Sequence, residues 1–563
     1  MGVEFPTALM LIAGAAIIPL LWGWARKAWS LVLPLLAFWH LLVLPTGSFG
    51  EFELLGHTLV LMRVDKLSLM FGYVFVLAAA LNAIYAMHQD DTVQLVAGPV
   101  YAGSALGAVF AGDLLTLFIF WELTAVSSVL LIWARRSDRA YGSGKRYVIL
   151  HLLSGMLLLA GTLIYVAGGG TLAFDHFTLD QPGTWLILAA FGIKSAFPFF
   201  HTWVPDSYPE ATVTGTVVLS AFTTKLGIYA LARGFAGTEI LIVIGTMMAA
   251  FPIFYAVIEN DLRRVLAYSV INQLGFMVVG VGIGTDLALN GTVAHAFADI
   301  LFKSLLFMSM GAVLLRAGTI KGSELGGLYK SMPWTTGFCI VGAASISAFP
   351  LFSGFVTKSM IMTSAALEGH TIVWLILLFA SAGVFHHAGI KIPYFAFFAH
   401  DSGIRCKEAP MNMLIAMAIA AALCIGIGSF PSAFYTLLPY PVDYEPYTAG
   451  HVLTQLQLLV FSALAFAVLI RTGIYPPELR SIDLDFDWIY RRLGAGVAKS
   501  AIDSAARFGA AFSGSVERVL RSGVQRIYRH HGPEGVLART WPTGSMVLWV
   551  AILLASYLVM YYL

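Results

Sequence analysis

Runs of about twenty apolar residues follow one another along this 563-residue chain. A bilayer core takes roughly 20 residues of helix, and lipid offers no partner to an exposed peptide group. Continuous runs, rather than two-residue alternation, select helices over barrel strands. Sixteen such runs can be counted, which predicts an all-α polytopic membrane protein of about 16 transmembrane helices. Only 11% of residues are charged and the net charge is +2, which leaves no basic stripe for nucleic acid. Cys339, Cys406 and Cys424 stand far apart, so neither a zinc site nor a disulfide framework is indicated. The opening "MGVEFPTALMLIAG" carries an acid and no basic n-region; it reads as a first transmembrane helix, not a cleaved signal peptide.

The runs fall into groups. Residues 1–92 hold spans one to three, 93–237 spans four to eight, 238–400 spans nine to thirteen, and 401–475 spans fourteen and fifteen. Residues 542–563 read as a C-terminal transmembrane anchor. Between them, 476–541 is too polar to cross. From Trp488 to about Arg529, Ile502, Ala506, Phe512, Val516, Leu520, Val524 and Ile527 recur near helical spacing, with Arg507, Arg518, Arg521, Arg526 and Arg529 between them. That predicts an amphipathic lateral helix on the cytoplasmic side, packed on lipid or on a neighbouring protein of the same assembly. Basic loops set orientation. "RK" at Arg26, "RRSDRAYGSGKR", "ENDLRR", "RAGTIKG" and "HDSGIRCKE" all follow odd-numbered spans. Assigning those ends to the cytoplasm places both termini outside, in a multi-pass protein of the cell (inner) membrane.

One short motif occurs twice. "SAFPFF" at Ser195–Phe200, in span seven, returns as "SAFPLF" at Ser347–Phe352, in span twelve. An odd number of spans separates the copies, so they run in opposite directions, as in an inverted-topology repeat. The units would be 93–237 and 238–400. "DLLTLFIF" opening span five and "DLRRVLAY" opening span ten agree with this. Proline inside a helix removes a donor and clashes one turn back. Pro198 and Pro350 therefore predict two discontinuous helices, seven and twelve, whose open ends can shelter a charge.

Charges lie inside these spans. Glu122 is in "LFIFWELTAV", Lys194 precedes the first break, and Lys225 lies in "LSAFTTKLGIYALAR". His295, Asp299 and Lys303 are spaced four apart on one helical face, and Lys358 follows the second break. His151 stands at the repeat position of Lys303. Each such charge costs at least ~2.5–3.5 kcal/mol at the bilayer centre, so the set must pair or face a hydrated path. Any single lysine could be half of a structural ion pair. The whole set at helical and repeat-related positions predicts a proton relay, with Glu122 and Lys194 as its switching pair. His386 and His387 are accessory candidates, as is His151; neighbouring helical residues diverge by about 100°, which suits a polar gate better than a metal site.

These residues resemble a known family. "AGDLLTLFIFWEL", "KSAFPFFHTWVPDSYPEATVTGTVVLSAFTTKLGIYAL", "HAFADILFKSLLFMSMGAV" and "AFPLFSGFVTKSMIM" look like the antiporter-like subunits of respiratory complex I and the large subunits of Mrp-type multisubunit Na+/H+ antiporters, over about residues 65–400. The resemblance implies a proton-transporting fold of two inverted five-helix repeats. It implies Glu122 as the helix-five glutamate, Lys194 and Lys225 as the helix-seven and helix-eight lysines, His295 and Lys303 as the helix-eleven group, and Lys358 as the helix-twelve lysine on the exit side. Where some relatives carry histidine, Asp299 stands here, and an acid there would stabilise a charged Lys303. The interfacial segment and last helix resemble those of the distal antiporter-like protein of complex I. Lys225 and "KIPYFAFFAH" look more like the Mrp D-type protein. The membrane component of inorganic-carbon-accumulating complexes is a third relative.

No flavin, haem, iron–sulfur or quinone signature appears, so no cofactor and no metal are expected, and any redox chemistry belongs to partners. "GVGIGT" lies in span ten without a strand–turn–helix context and reads as helix packing. The expected function is that of a proton-translocating membrane subunit in a multisubunit cation/proton antiporter or complex I-like assembly. Its partners would be other membrane subunits, and its cargo protons, with Na+ as a second candidate. The alternatives are a component of an inorganic-carbon complex, an autonomous secondary transporter, or a structural membrane scaffold for a soluble enzyme.

Overall fold

Each apolar run becomes helical because a helix satisfies its own peptide groups where water is absent. The computed structural model describes residues 5–54, 56–476, 478–479 and 485–563. Residues 1–4 and 55, in the first predicted group, and 477 and 480–484, in the predicted lateral segment, lie outside the described residues. Among those described, 13 helices are long and apolar enough to cross a membrane. The shorter Thr7–Leu20 and Thr184–Lys194 helices, and the pair Pro333–Ile346 and Ser353–Leu367, occupy the other apolar runs. The chain divides into two units, Met1–Asp483 and Leu484–Leu563.

In the first unit the Asp286–Ala317 helix is the axis. Every residue from Ala288 to Val313 is buried, and the Leu262–Ile283 helix beside it is buried almost throughout. A helix enclosed on all sides has no lipid-facing stripe. Polar residues on it therefore meet protein, and this is the helix that carries His295, Asp299 and Lys303.

Two aspartates, one at the start of each of two helices, cap in the same way. Asp113 Oδ1 accepts the N–H groups of Leu115 and Thr116 at 2.9 and 2.7 Å, and Asp261 Oδ1 those of Arg263 and Arg264 at 2.9 and 3.1 Å. Side-chain capping of this kind satisfies donors that a helix start leaves open. Each aspartate also sits in an isolated antiparallel bridge, Asp113 with Ala173 and Asp261 with Lys321.

The two breaks share one backbone design. At the first, Phe197 N–H bonds to the Gly192 carbonyl and Ala196 N–H to the Ile193 carbonyl, with Ala196 at φ 59°. At the second, Phe349 bonds to Ala344 and Ala348 to Ser345, with Ala348 at φ 57°. This is the Schellman helix end, built on alanine where glycine is usual. A tight turn follows each end. Phe200 N–H closes onto the Phe197 carbonyl and Phe352 onto Phe349, around Pro198–Phe199 and Pro350–Leu351. Phe199 and Leu351 have φ 73° and 74°, the pattern of a type II turn with proline in its first central place. The prolines thus do not kink a continuing helix, as expected from sequence. Left-handed alanine ends the helix, and proline then fixes the turn. Gly227 lets the neighbouring helix reach this point: a Cβ there would lie 2.8 Å from Ser195 N.

An antiparallel hairpin, Gly47–Leu54 with His57–Val64, was not anticipated from the apolar runs. It packs where span five begins: Val60 N–H donates to Asp113 Oδ2 at 2.9 Å and Gly112 N–H to the Val60 carbonyl at 3.0 Å.

The second unit holds a short π-helical turn, Ile489–Gly494, the 37-residue helix Ala495–His531, and the apolar helix Thr543–Tyr562. Ile502, Phe508, Phe512, Val516 and Leu520 are exposed on the long helix, while Arg521 pairs with Glu517 at 3.1 Å.

Candidate functional site

Span five, Leu114–Trp133, presents Trp121, Glu122 and Thr124 toward the first break. Lys194 is the last residue of the Thr184–Lys194 helix and is fully buried. Its ammonium donates to the Trp121 carbonyl at 2.7 Å and to the Thr124 hydroxyl, and lies 4.5 Å from the centre of the Trp121 ring. Trp121 is itself held: its indole N–H donates to Ser154 at 2.9 Å, and Ser154 donates to the Ala190 carbonyl at 2.7 Å. Glu122 is partly exposed, and its Oε1 has no hydrogen-bond partner among the described residues. The carboxylate lies over Gly155 of the Asp138–Ala167 helix, where an added Cβ would overlap it. His151, on that same helix, is buried between the rings of Tyr147 and Trp203 at 4.2 and 4.5 Å, and neither ring nitrogen has a partner among the described residues.

The second half of the site centres on the buried helix. Lys225 Nζ lies 2.6 Å from Asp299 Oδ2, with neither side chain exposed, and donates to the Ser220 carbonyl at 3.0 Å. Asp299 was expected to stabilise Lys303; its direct ion pair is with Lys225. Lys225 reaches Asp299 from the Thr223–Gly234 helix, while Lys303 lies one turn along the same helix as Asp299. Lys303 is fully buried, and its ammonium has no hydrogen-bond partner among the described residues. His295 stands between Gln273 at 2.9 Å and Thr357 at 3.1 Å. Lys358 donates at 3.1 Å to the carbonyl of Ile346, the residue that ends the first half of span twelve, and sits 5.0 Å from the Phe276 ring centre. Here the open carbonyl end of a broken helix does hold a buried lysine.

Sequence reasoning missed one buried lysine. Lys391 donates to the carbonyls of Ala256, Val257 and Glu259 at 3.2, 2.7 and 2.7 Å, closing the end of the Ile240–Ile258 helix, and pairs with Glu478 at 2.9 Å. It ends a π-helical segment, Phe385–Lys391, that also carries His386 and His387. His386 packs on Phe466 and Tyr475, and buried His387 has no partner on either ring nitrogen among the described residues. The polar pair Asn272–Gln273 was missed too, although "INQ" inside an otherwise apolar span was a visible signal. Glu122 and Lys194 thus lie at the first break, while Lys225, Asp299, Lys303, His295 and Lys358 gather around the buried Asp286–Ala317 helix.

A mostly helical polytopic membrane protein with buried ionisable side chains is the class that the fold and site define. Residues 111–385 match the family described as NADH:quinone oxidoreductase/Mrp antiporter, transmembrane. The chain is 31% identical over 492 residues to the A-type subunit of the Na(+)/H(+) antiporter of Alkalihalophilus pseudofirmus, covering 75% of this chain and 61% of that protein. Against the D-type subunit of the antiporter from the same organism it is 28% identical over 355 residues, covering 59% of this chain and 72% of the relative. The chain thus spans less than two thirds of the length of the A-type relative. The structure of the Mrp complex from Dietzia sp. DQ12-45-1b shares the fold, with a TM-score of 0.75 at 24% identity over 92% of this chain and 62% of that one.

Proposed function

We propose that this chain translocates protons as one membrane subunit of a multisubunit cation/proton antiporter or complex I-like assembly. The observation that carries the reading is the buried Lys303 ammonium. It lacks an acceptor among the described residues, yet lies on the same helix as Asp299 of the Lys225–Asp299 pair and the hydrogen-bonded His295. An isolated charge in that position costs several kcal/mol. Lys303 is therefore either neutral or solvated, and a lysine that alternates between those states is a proton carrier. Protons enter near Glu122 and Lys194, pass Lys225 and Asp299, continue by Lys303 and His295, and leave by Lys358. His151, His386 and His387 are accessory groups.

The repeated Schellman ends and capping aspartates support reading 93–237 and 238–400 as inverted repeats. The basic loops support a cytoplasmic side at the odd-numbered span ends, with both termini outside. The likeness to Na(+)/H(+) antiporter proteins supports other membrane subunits of a cell-membrane complex as partners, and Na+ as a candidate for the ion exchanged by the assembly. The test is proton flux in vesicles containing the assembled complex, read with a pH-sensitive dye. Lys194→Ala and Lys303→Ala should abolish flux while the complex still purifies intact. Wild-type flux in both variants refutes the relay.

A further inference from the structure

His295 is joined to two backbone carbonyls by an unbroken row of polar groups. On one side, Asn272 donates to the Ala249 carbonyl at 2.5 Å, Gln273 Nε2 donates to Asn272 Oδ1 at 2.7 Å, and Gln273 Oε1 faces His295 Nε2 at 2.9 Å. On the other, His295 Nδ1 lies 3.1 Å from Thr357 Oγ1, which lies 3.0 Å from the Ser353 carbonyl. Asn272, Gln273, His295 and Thr357 are all fully buried.

The carbonyl ends dictate the proton positions. A backbone carbonyl only accepts. Asn272 must therefore turn its NH2 to Ala249, which leaves its oxygen for Gln273. Gln273 must turn its NH2 to that oxygen, which leaves its own oxygen for His295. Flipping either amide sets oxygen against oxygen or NH2 against NH2. His295 Nε2 is thus obliged to donate, and carries a proton in every satisfied arrangement. Nδ1 is under no such constraint. In the neutral ring it accepts the Thr357 O–H. In the charged ring it donates to the Thr357 oxygen, while the Thr357 proton turns to the Ser353 carbonyl. Rotation of one hydroxyl serves both charge states, and keeps the ring's two partners in each.

We infer that His295 keeps a permanent proton on Nε2 and takes up and releases its transported proton at Nδ1, with Gln273 and Asn272 as positioning residues and Thr357 as the hydroxyl switch between the two states. This rests on the proton-transfer reading and gives it a side: exchange occurs on the face of the Ser353–Leu367 helix, whose next residue after Thr357 is Lys358. The bond made and broken is Nδ1–H alone; the ring gains a proton on its Nδ1 lone pair and returns to neutral when that bond breaks. The charges acting on the ring are Lys358, Lys225 and Lys303, from three different elements, and Phe276 and Phe302 flank it.

The experiment is solid-state 15N NMR of the full chain in liposomes with labelled histidine, His295 being assigned by its loss in His295→Gln. At high pH the neutral ring should show Nε2 protonated and Nδ1 bare. In Gln273→Leu both tautomers should populate. Thr357→Val, which removes the acceptor of the charged ring, should lower the pH midpoint of proton flux in the assembled complex by about one unit, and Thr357→Ser should restore it. A neutral wild-type ring with its proton on Nδ1 overturns the inference whatever the flux does, as does an unmoved midpoint in Thr357→Val. Wild-type flux in His295→Gln defeats the relay reading instead, and leaves the spectrum to decide the tautomer.

Discussion

Lys225 and Asp299 meet at 2.6 Å from two different helices, and neither side chain is exposed. Removing one member of a buried pair strands the other charge, at about 3–5 kcal/mol, whereas replacing both with apolar residues is often neutral. Asp299→Ala is therefore expected to destabilise the protein by about 3–5 kcal/mol, and Lys225→Met with Asp299→Leu to recover most of that. Thermal unfolding in detergent reads the stability, and vesicle flux reads transport. The double variant should be folded and inactive. A folded double variant with normal flux would make the pair structural only.

Ala196 and Ala348 occupy the left-handed position of twin helix ends, at φ 59° and 57°. A side chain there costs roughly 1–2 kcal/mol that glycine avoids. Ala196→Gly and Ala348→Gly should each raise stability by about 1 kcal/mol, seen as a higher midpoint on thermal unfolding. A β-branched Ala196→Val should lower it. Equal midpoints for all three residues at position 196 would mean that the alanine is not strained.

What the sequence made legible follows from how each feature is specified. Apolar runs are dictated by bilayer thickness, so nearly all spans could be counted, and the "SAFP" twin located both breaks because proline and its neighbours act locally. The choice of partner within the core was not legible. The direct contacts, Asp299 with Lys225 and Lys194 with the Trp121 carbonyl, are set by the positions of neighbouring helices. The hairpin at 47–64 was hidden because a two-stranded ribbon is stabilised by what it packs on, here the Asp113 turn. The π-helical segment around His387 has no compositional mark, since a shift of hydrogen-bond register leaves residue types unchanged.

Gly155 faces the Glu122 carboxylate, and any side chain at 155 takes its space. Gly155→Ala should therefore displace Glu122 while leaving the Asp138–Ala167 helix formed, at an overpacking cost of about 1–3 kcal/mol. The expected result is an assembled complex with proton flux well below wild type, moving in the same direction as Glu122→Gln. If the two variants differ and Gly155→Ala transports normally, the carboxylate does not act from this position.

Outside the membrane spans, Asp401 is fixed by Arg405, which donates to both carboxylate oxygens at 2.9 and 2.7 Å, and by Lys330 at 2.7 Å. These donors hold its carboxyl well below the usual carboxylate range, Arg405 first and Lys330 second. The loop matters because Glu408, a few residues on, accepts the Trp334 N–H at 2.9 Å and the Thr335 hydroxyl at 2.6 Å where the second broken span begins. A carboxyl whose folded-state pKa is depressed contributes its full stabilisation above the unfolded value of about 3.9, and loses it as pH falls through the folded value. Asp401→Asn should thus be slightly less stable than wild type at pH 7, and the gap should close on acidification below about pH 4. The contribution is small because the group is exposed, and salt should shrink it further. Unfolding midpoints of both proteins over a pH series, at low and high ionic strength, check this; a gap that widens in acid reverses the assigned sign.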